Sequence, residues 1–154
     1  MGVAGAGKST LGAALAARLG WRFIDADDYH PQENVAKMAA GVPLEDEDRW
    51  PWLDLLNRRL MEEPSLVLAC SALKESHRRR LLEGVAASRI VYLYGSFELI
   101  AARLAQRRHR YMPASLLESQ FAALEPPAEA IAVDVAAEPA RCVDAILAQL
   151  QLPM

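Results

Sequence analysis

Cysteine is scarce in this 154-residue chain: Cys70 and Cys142 are the whole complement, far apart and without paired spacing. That excludes a disulfide framework, and the pair reads as buried apolar thiols in a reducing, cytosolic setting. No apolar run approaches the roughly twenty residues of a membrane span, and no signal-peptide pattern opens the chain. A basic excess is lacking too. The formal charge of −3 and a pI near 5.6 leave no sustained cationic face for nucleic acid, Arg78-Arg79-Arg80 and the group Arg107, Arg108 and Arg110 being the exceptions. Repeats, low-complexity tracts and linkers are absent. Residues 1–154 therefore read as one domain, large enough to bury about two-thirds of its unfolded surface without a disulfide or metal staple.

What is present begins at once. Gly2-Val3-Ala4-Gly5-Ala6-Gly7-Lys8-Ser9-Thr10 carries the spacing glycine, four residues, glycine, lysine, serine. Such a loop meets a phosphate chain with backbone N–H groups, the positive end of the helix that follows, and one lysine. Its glycines let the backbone approach closely. Lys8 would reach the β- and γ-phosphates and Ser9 would place its hydroxyl on Mg²⁺. One neighbour is missing: a phosphate loop hangs from the C-terminal end of a buried strand, yet only Met1 precedes Gly2.

The remaining pattern alternates strands and helices. Leu11, Leu15 and Leu19 recur at steps of four through an alanine-rich helix, Ser9 to Leu19, which Gly20 ends. Trp21–Asp25, Leu66–Cys70, Arg89–Tyr94 and Ala130–Val135 are short apolar strand patterns. Helices are expected over 33–40, 46–62 (with Pro51 in its first turn), 74–83, 97–108 and 140–150. This alternation dictates an α/β fold with a parallel sheet covered on both faces.

Two clusters carry further chemistry. Asp25 and Asp27 are one residue apart, so an extended backbone would point both towards the phosphate loop. One could hold Mg²⁺ through water and the other could orient or deprotonate an acceptor hydroxyl, while Asp28 caps the next turn. His30, viewed alone, reads as structural. Downstream, Arg103, Arg107, Arg108, His109 and Arg110 form a dense cationic segment between two helices, the composition of a lid that neutralises charge on a transferring phosphoryl group.

A longer run is more specific. Asp25-Ala26-Asp27-Asp28-Tyr29-His30-Pro31, Asn34, Lys37-Met38, Gly41, Pro43-Leu44, Asp46, Asp48-Arg49 and Pro51-Trp52-Leu53 closely resemble the signature of the gluconokinases. The resemblance continues through Ala69-Cys70-Ser71-Ala72-Leu73-Lys74 with Arg78, and through Leu116-Leu117, Ser119-Gln120-Phe121 and Leu124-Glu125-Pro126. It spans most of the chain from Gly2 to about Pro126. It implies a P-loop NTPase fold similar to that of shikimate and nucleoside-monophosphate kinases, with a lid over about residues 107–126. It also implies ATP- and Mg²⁺-dependent phosphorylation of D-gluconate at its terminal hydroxyl, giving 6-phosphogluconate. On that resemblance Asp25 serves the Mg²⁺ shell and Asp27 the acceptor hydroxyl, with His30, Arg49, Lys74 and Arg78 as candidates for holding the polyol and its carboxylate. Arg107 sits where such kinases pack a guanidinium on adenine or reach the phosphates, in competition with Arg103 and Arg110. A homodimer is compatible with the resemblance. Two positions depart from the family pattern: His109-Arg110-Tyr111 replaces glycine, histidine, aromatic ahead of Met112-Pro113, and His77 stands where a tyrosine is usual.

Rival readings are a kinase of another small acceptor, such as shikimate or a nucleoside monophosphate, and a non-catalytic or truncated nucleotide-binding protein of the same fold. The Asp25 to Leu53 run speaks against the first, and Asp25 with Asp27 against the second. The missing first strand carries its own expectation. It belongs in the middle of the sheet, so the strand ending at Cys70 and the strand 89–94 should stand about two strand spacings apart, near 10 Å, rather than paired at about 4.8 Å. The chain is then expected to be poorly soluble or inactive, and five to eight apolar residues ahead of Met1 to rescue it.

Overall fold

The computed structural model of the chain describes residues 1–106 and 114–150. Helix α1 (Lys8–Leu19) leads to strand β1 (Arg22–Asp25) and a 3₁₀ turn (Ala26–Tyr29); helices α2 (Gln32–Ala39) and α3 (Asp46–Glu62) follow. Strand β2 (Leu66–Ala69), α4 (Glu75–Leu82), β3 (Val91–Tyr94), α5 (Phe97–Ala105), α6 (Ala114–Ala123), β4 (Ile131–Asp134) and α7 (Pro139–Leu150) complete the order. Each of these strands is four residues long, and the apolar patterns are longer by one or two residues in all.

The strands pair in two parallel sets. β1 lies on β2 with Phe23 opposite Val67 and Ile24 opposite Leu68; β3 lies on β4 with Leu93 opposite Val133. Side chains alternate across each strand, and the two faces of the β1–β2 pair feed different layers. Val67 joins the core with Leu11, Leu15 and Ile146 of α1 and α7, and Phe23 lies against Gly12 of α1. Ile24, Leu66 and Leu68 join Trp52, Leu53, Leu56 and Leu81 of α3 and α4. Helices thus cover both faces here. On the β3–β4 pair the inward Leu93, Ile131 and Val133 are buried, whereas Tyr94 and Ala132 on the other face are exposed.

Strands β2 and β3 do not pair, as the missing-strand reading requires. Met1 stands between them. Its amine donates to Val91 O at 2.6 Å, its carbonyl accepts from Leu93 N at 2.9 Å, and Gly2 N donates to Ser71 O at 3.3 Å. Bonding to the residues before and after Tyr92 is the pattern of a parallel ladder, so Met1 is a one-residue strand seated at the centre of the sheet. Behind it opens a cavity of about 910 Å³, lined by Leu15, Leu66, Leu68, Leu82, Ile90 and Val91 among others.

Two local expectations are corrected. Pro51 falls in the second turn of α3, because a capping box between Glu45 and Asp48 starts the helix at Asp46. Asp27 is not on extended backbone. The strand ends at Asp25, whose carboxylate accepts the Asp27 N–H at 3.0 Å and opens the 3₁₀ turn.

Candidate functional site

The glycine-rich loop closes on the first turn of α1. Gly7 holds a left-handed φ of 97° at the helix N-cap, and no side chain caps the N–H groups that follow. A Cβ on Gly2 would stand 2.7 Å from Leu93 O, so the loop's first glycine is fixed by its approach to β3. Uncapped N–H groups at the positive end of a 12-residue helix with no acidic residue in its first turn form an anion cradle. Lys8 folds back over it, with Nζ donating to Gly2 O and Val3 O at 3.0 Å each. From the other side Gln120 of α6 accepts the Ala4 N–H at 2.8 Å.

Ser9, the next residue of α1, donates its hydroxyl to Asp25 Oδ2 at 2.5 Å. The helix start and the end of β1 therefore put two hard oxygen donors side by side at the mouth of the cradle. Among the described residues no cluster of three or more His, Cys, Asp or Glu exists that could cage a metal. A hydroxyl and one carboxylate suit Mg²⁺, which keeps water and substrate phosphates in its shell and takes few protein ligands.

Beside the cradle a pocket of about 270 Å³ is lined by Gly5, Gly7, Thr10, Arg103, Val135 and Pro139. Arg103 is tied across it, donating to Val135 O at 2.5 Å. The 135–139 wall carries no sequence signal that would mark it in advance. Arg107, with His109, Arg110 and Tyr111, lies outside the described residues.

The acceptor candidates gather on the other side of Asp25. His30 Nε2 lies 3.9 Å from Asp27 Oδ1, and its ring stacks on Trp52 with centroids 4.1 Å apart. Trp52 in turn donates its indole N–H to Ala26 O at 2.7 Å. Burial is the first cause that pushes the His30 imidazole below its usual pKa, with the Arg49 charge adding to it and Asp27 opposing. Arg49 Nη1 donates to Leu44 O at 2.8 Å and stands 3.9 Å from Asp46. Asp46 is the hub: it accepts from His77 Nε2–H at 2.9 Å, and Lys74, His77 and Arg49 all act on it. The His77 hydrogen bond, ahead of those charges, holds the Asp46 carboxyl below the ordinary range. Asp27, His30, Arg49 and Lys74 are thus linked, through His30 and Asp46, into one polar cluster.

Arg78 faces elsewhere. It is 3% exposed and donates to Ala72 O at 2.7 Å, Leu73 O at 3.1 Å and Glu125 O at 2.6 Å, with Glu75 as its ion-pair partner. That guanidinium fixes the 71–74 loop, where Ala72 holds a left-handed φ of 43°. The loop's last residue, Lys74, is positioned through it. Sequence reasoning singled out neither Asp46 nor His77 nor the buried Asn34 as site residues. Asp46 and Asn34 lie within the signature run, but nothing in their spacing separates them from cap and surface residues.

The shikimate kinase family matches the chain over residues 4–148. The probable gluconokinase of Mus musculus is 50% identical over 148 residues, covering 82% of this chain and 80% of that one. The thermosensitive gluconokinase of Escherichia coli (strain K12) is 44% identical over 131 residues, covering 82% and 70%. Among solved structures, a gluconokinase from Sinorhizobium meliloti 1021 matches with a TM-score of 0.88 and 44% identity, covering 96% of this chain and 87% of that one.

Proposed function

The chain belongs to the gluconokinase family, within the P-loop kinases of the shikimate kinase type, and from that membership we propose that it transfers the γ-phosphoryl group of ATP to the terminal hydroxyl of D-gluconate. The products are 6-phosphogluconate and ADP. The observation that carries the reading is the junction at Asp25. Ser9 and Asp25 stand together at the phosphate cradle, and Asp27 begins the next turn beside the polar cluster of His30, Arg49, Asp46 and Lys74, which we take as the acceptor recess.

The hydroxyl oxygen attacks the γ-phosphorus, the bond to the β–γ bridging oxygen breaks, and the hydroxyl proton passes to the Asp27 carboxylate. Lys8 and the loop N–H groups bind the phosphates and neutralise charge as it moves to the bridging oxygen. Ser9 and Asp25 would hold Mg²⁺, which when bound would screen the negative charge of the phosphates. The 270 Å³ pocket beside Gly5 and Thr10 takes the nucleoside end, with Arg107 as a lid contact. In the recess Arg49 and Lys74 supply cations for the gluconate carboxylate, and His30 and Asp46 supply polar partners for its hydroxyls. Arg78 supports this site through the 71–74 loop. Residues 107–126 act as the lid of a single domain.

Among the described residues no helix is long and apolar enough to cross a membrane; we place the enzyme in the cytoplasm, where its two free thiols stay reduced. A homodimer rests on the family resemblance alone. The decisive experiment is ADP release measured by a coupled assay with D-gluconate, shikimate and nucleoside monophosphates as acceptors. ADP release dependent on gluconate alone is expected, from the chain itself or from one extended by five to eight apolar residues ahead of Met1; equal release with another acceptor overturns the substrate, and none from either form with any acceptor overturns the activity.

A further inference from the structure

Helix α2 buries the amide of Asn34 and leaves its larger apolar side chains exposed. Asn34 is 3% exposed, whereas Val35 and Met38 are 50% and 45% exposed. A buried amide has to place every hydrogen it carries. Asn34 Nδ2 lies 2.9 Å from the main-chain oxygen of Asp48 and 3.2 Å from His30 Nδ1. A carbonyl oxygen only accepts, so the amide must turn its NH₂ towards Asp48, and the second hydrogen of that group then points at His30 Nδ1. A protonated Nδ1 would set hydrogen against hydrogen. Nδ1 is therefore the acceptor, and the neutral ring carries its proton on Nε2, the nitrogen 3.9 Å from Asp27 Oδ1.

The ring has no freedom to escape this setting. Its side chain is 3% exposed, lies nearly parallel to the Trp52 indole at 16°, and Trp52 is anchored to Ala26 O by its own N–H.

We propose that Asn34 is a positioning residue that locks His30 in the Nε2–H tautomer, so that His30 offers the acceptor recess a hydrogen-bond donor and no basic nitrogen. This rests on the reading of Asp27 as the group that takes the acceptor proton, and it deepens it. Of the neighbouring pair Asp27 and His30, His30 has one nitrogen occupied by Asn34 and the other protonated, which leaves Asp27 as the one of the two that takes the proton. A free Nε2 lone pair would instead compete with Asp27 for the substrate hydroxyl's hydrogen.

Two-bond ¹H–¹⁵N correlation spectra of the ¹⁵N-histidine-labelled protein read the tautomer directly. His30→Gln identifies the His30 signals by their loss. The wild type is expected to show His30 protonated on Nε2 alone at neutral pH. Asn34→Asp replaces the donor with an acceptor of the same shape and is expected to move the proton to Nδ1. The same variant should lower kcat with gluconate by about ten- to hundredfold while leaving the KM for ATP unchanged. His30→Gln, which keeps an N–H donor without a basic nitrogen, should retain more turnover than His30→Phe. A wild-type spectrum with Nδ1 protonated overturns the proposal even if Asn34→Asp fails to fold. So does an Asn34→Asp protein that loses turnover with its Nε2–H signal unchanged, or His30→Gln no better than His30→Phe. Failure of the underlying reading is separable: Asp27→Asn with undiminished turnover would remove Asp27 as the base and leave the tautomer measurement standing.

Discussion

The two halves of the sheet are built alike and hold sites of different kinds. Each is a parallel pair of four-residue strands, β1–β2 and β3–β4, divided at Met1. Around the phosphate loop the working groups are main-chain amides and a lysine, set by glycine conformations and by the close packing of Gly2 on Leu93 in the β3–β4 half. At the end of β1 the working groups are side chains held by other side chains: Trp52 under His30, Asn34 behind it, His77 on Asp46. A backbone site is robust to the identity of its neighbours, whereas a side-chain site fails when a supporting residue changes.

The sharpest way to break this comparison is to remove one group from each half. Asp27→Asn keeps size and most hydrogen bonding but removes the base, so turnover should fall by about 10² to 10⁴ with ATP binding intact. A collapse of ATP affinity without loss of turnover per bound ATP would make Asp27 a metal or structural residue instead. Lys8→Ala should cost about a hundredfold or more, because it deletes the flexible cation of the cradle and leaves γ-phosphate charge uncompensated. Near-normal turnover in that variant would sink the assignment of the loop.

The seam between the halves gives the next effect, on stability. The Met1 amine is pushed down to about 5 by burial, with the nearby Lys8 charge contributing. Above pH 8 it is neutral in both folded and unfolded chains. Between pH 8 and 5 the unfolded chain binds a proton that the folded one does not, so stability falls as pH falls, and below about 5 the loss levels off at about 4 kcal/mol. Extending Met1 by five to eight apolar residues converts the amine to an amide, fills the 910 Å³ cavity and pairs the facing edges of β2 and β3. Each apolar side chain buried there adds about 1.5 to 3 kcal/mol. Urea unfolding of the two forms between pH 5 and 8 should show a higher midpoint for the extended chain and the loss of this pH slope. Equal midpoints would mean that the cavity is closed in solution by other means.

Legibility follows the same division. The cradle could be read from the sequence because its glycines answer to backbone geometry, and the seam could be read because a loop of that kind requires a strand before it. The bounds of α3, Asp46 to Glu62, were equally legible from the amphipathic spacing of Trp52, Leu53 and Leu56. The acceptor recess was legible only as a resemblance. Period-two alternation put Asp25 and Asp27 on one side of a strand, but a side chain accepting a hydrogen bond from its own chain two residues on ended that strand at Asp25. Arg78 belongs to a run of three arginines, of which it alone is buried, on the face it shares with His77 and Leu81. Only packing tells that arginine from its neighbours.

The smallest effect concerns the hub. His77 is 5% exposed, donates to Asp46 and meets Trp50 edge-on at 5.8 Å, so it ties α4 to the first turn of α3. His77→Phe keeps the ring and removes the donor, leaving Asp46 with Arg49 at 3.9 Å. Asp46 is 40% exposed at its side chain, so water replaces part of the lost bond and the stability cost should stay near 0.5 to 1.5 kcal/mol. The kinetic consequence is more specific. Arg49 and Lys74 are arranged about this carboxylate, so the KM for gluconate should rise several-fold while kcat and the KM for ATP hold. The family pattern resembled here has tyrosine at this position, and a phenol can donate to Asp46 as the imidazole does. His77→Tyr should therefore behave nearly as wild type. If Phe and Tyr were equally impaired, His77 would be acting through its shape against Trp50, and the side-chain hub would reduce to packing.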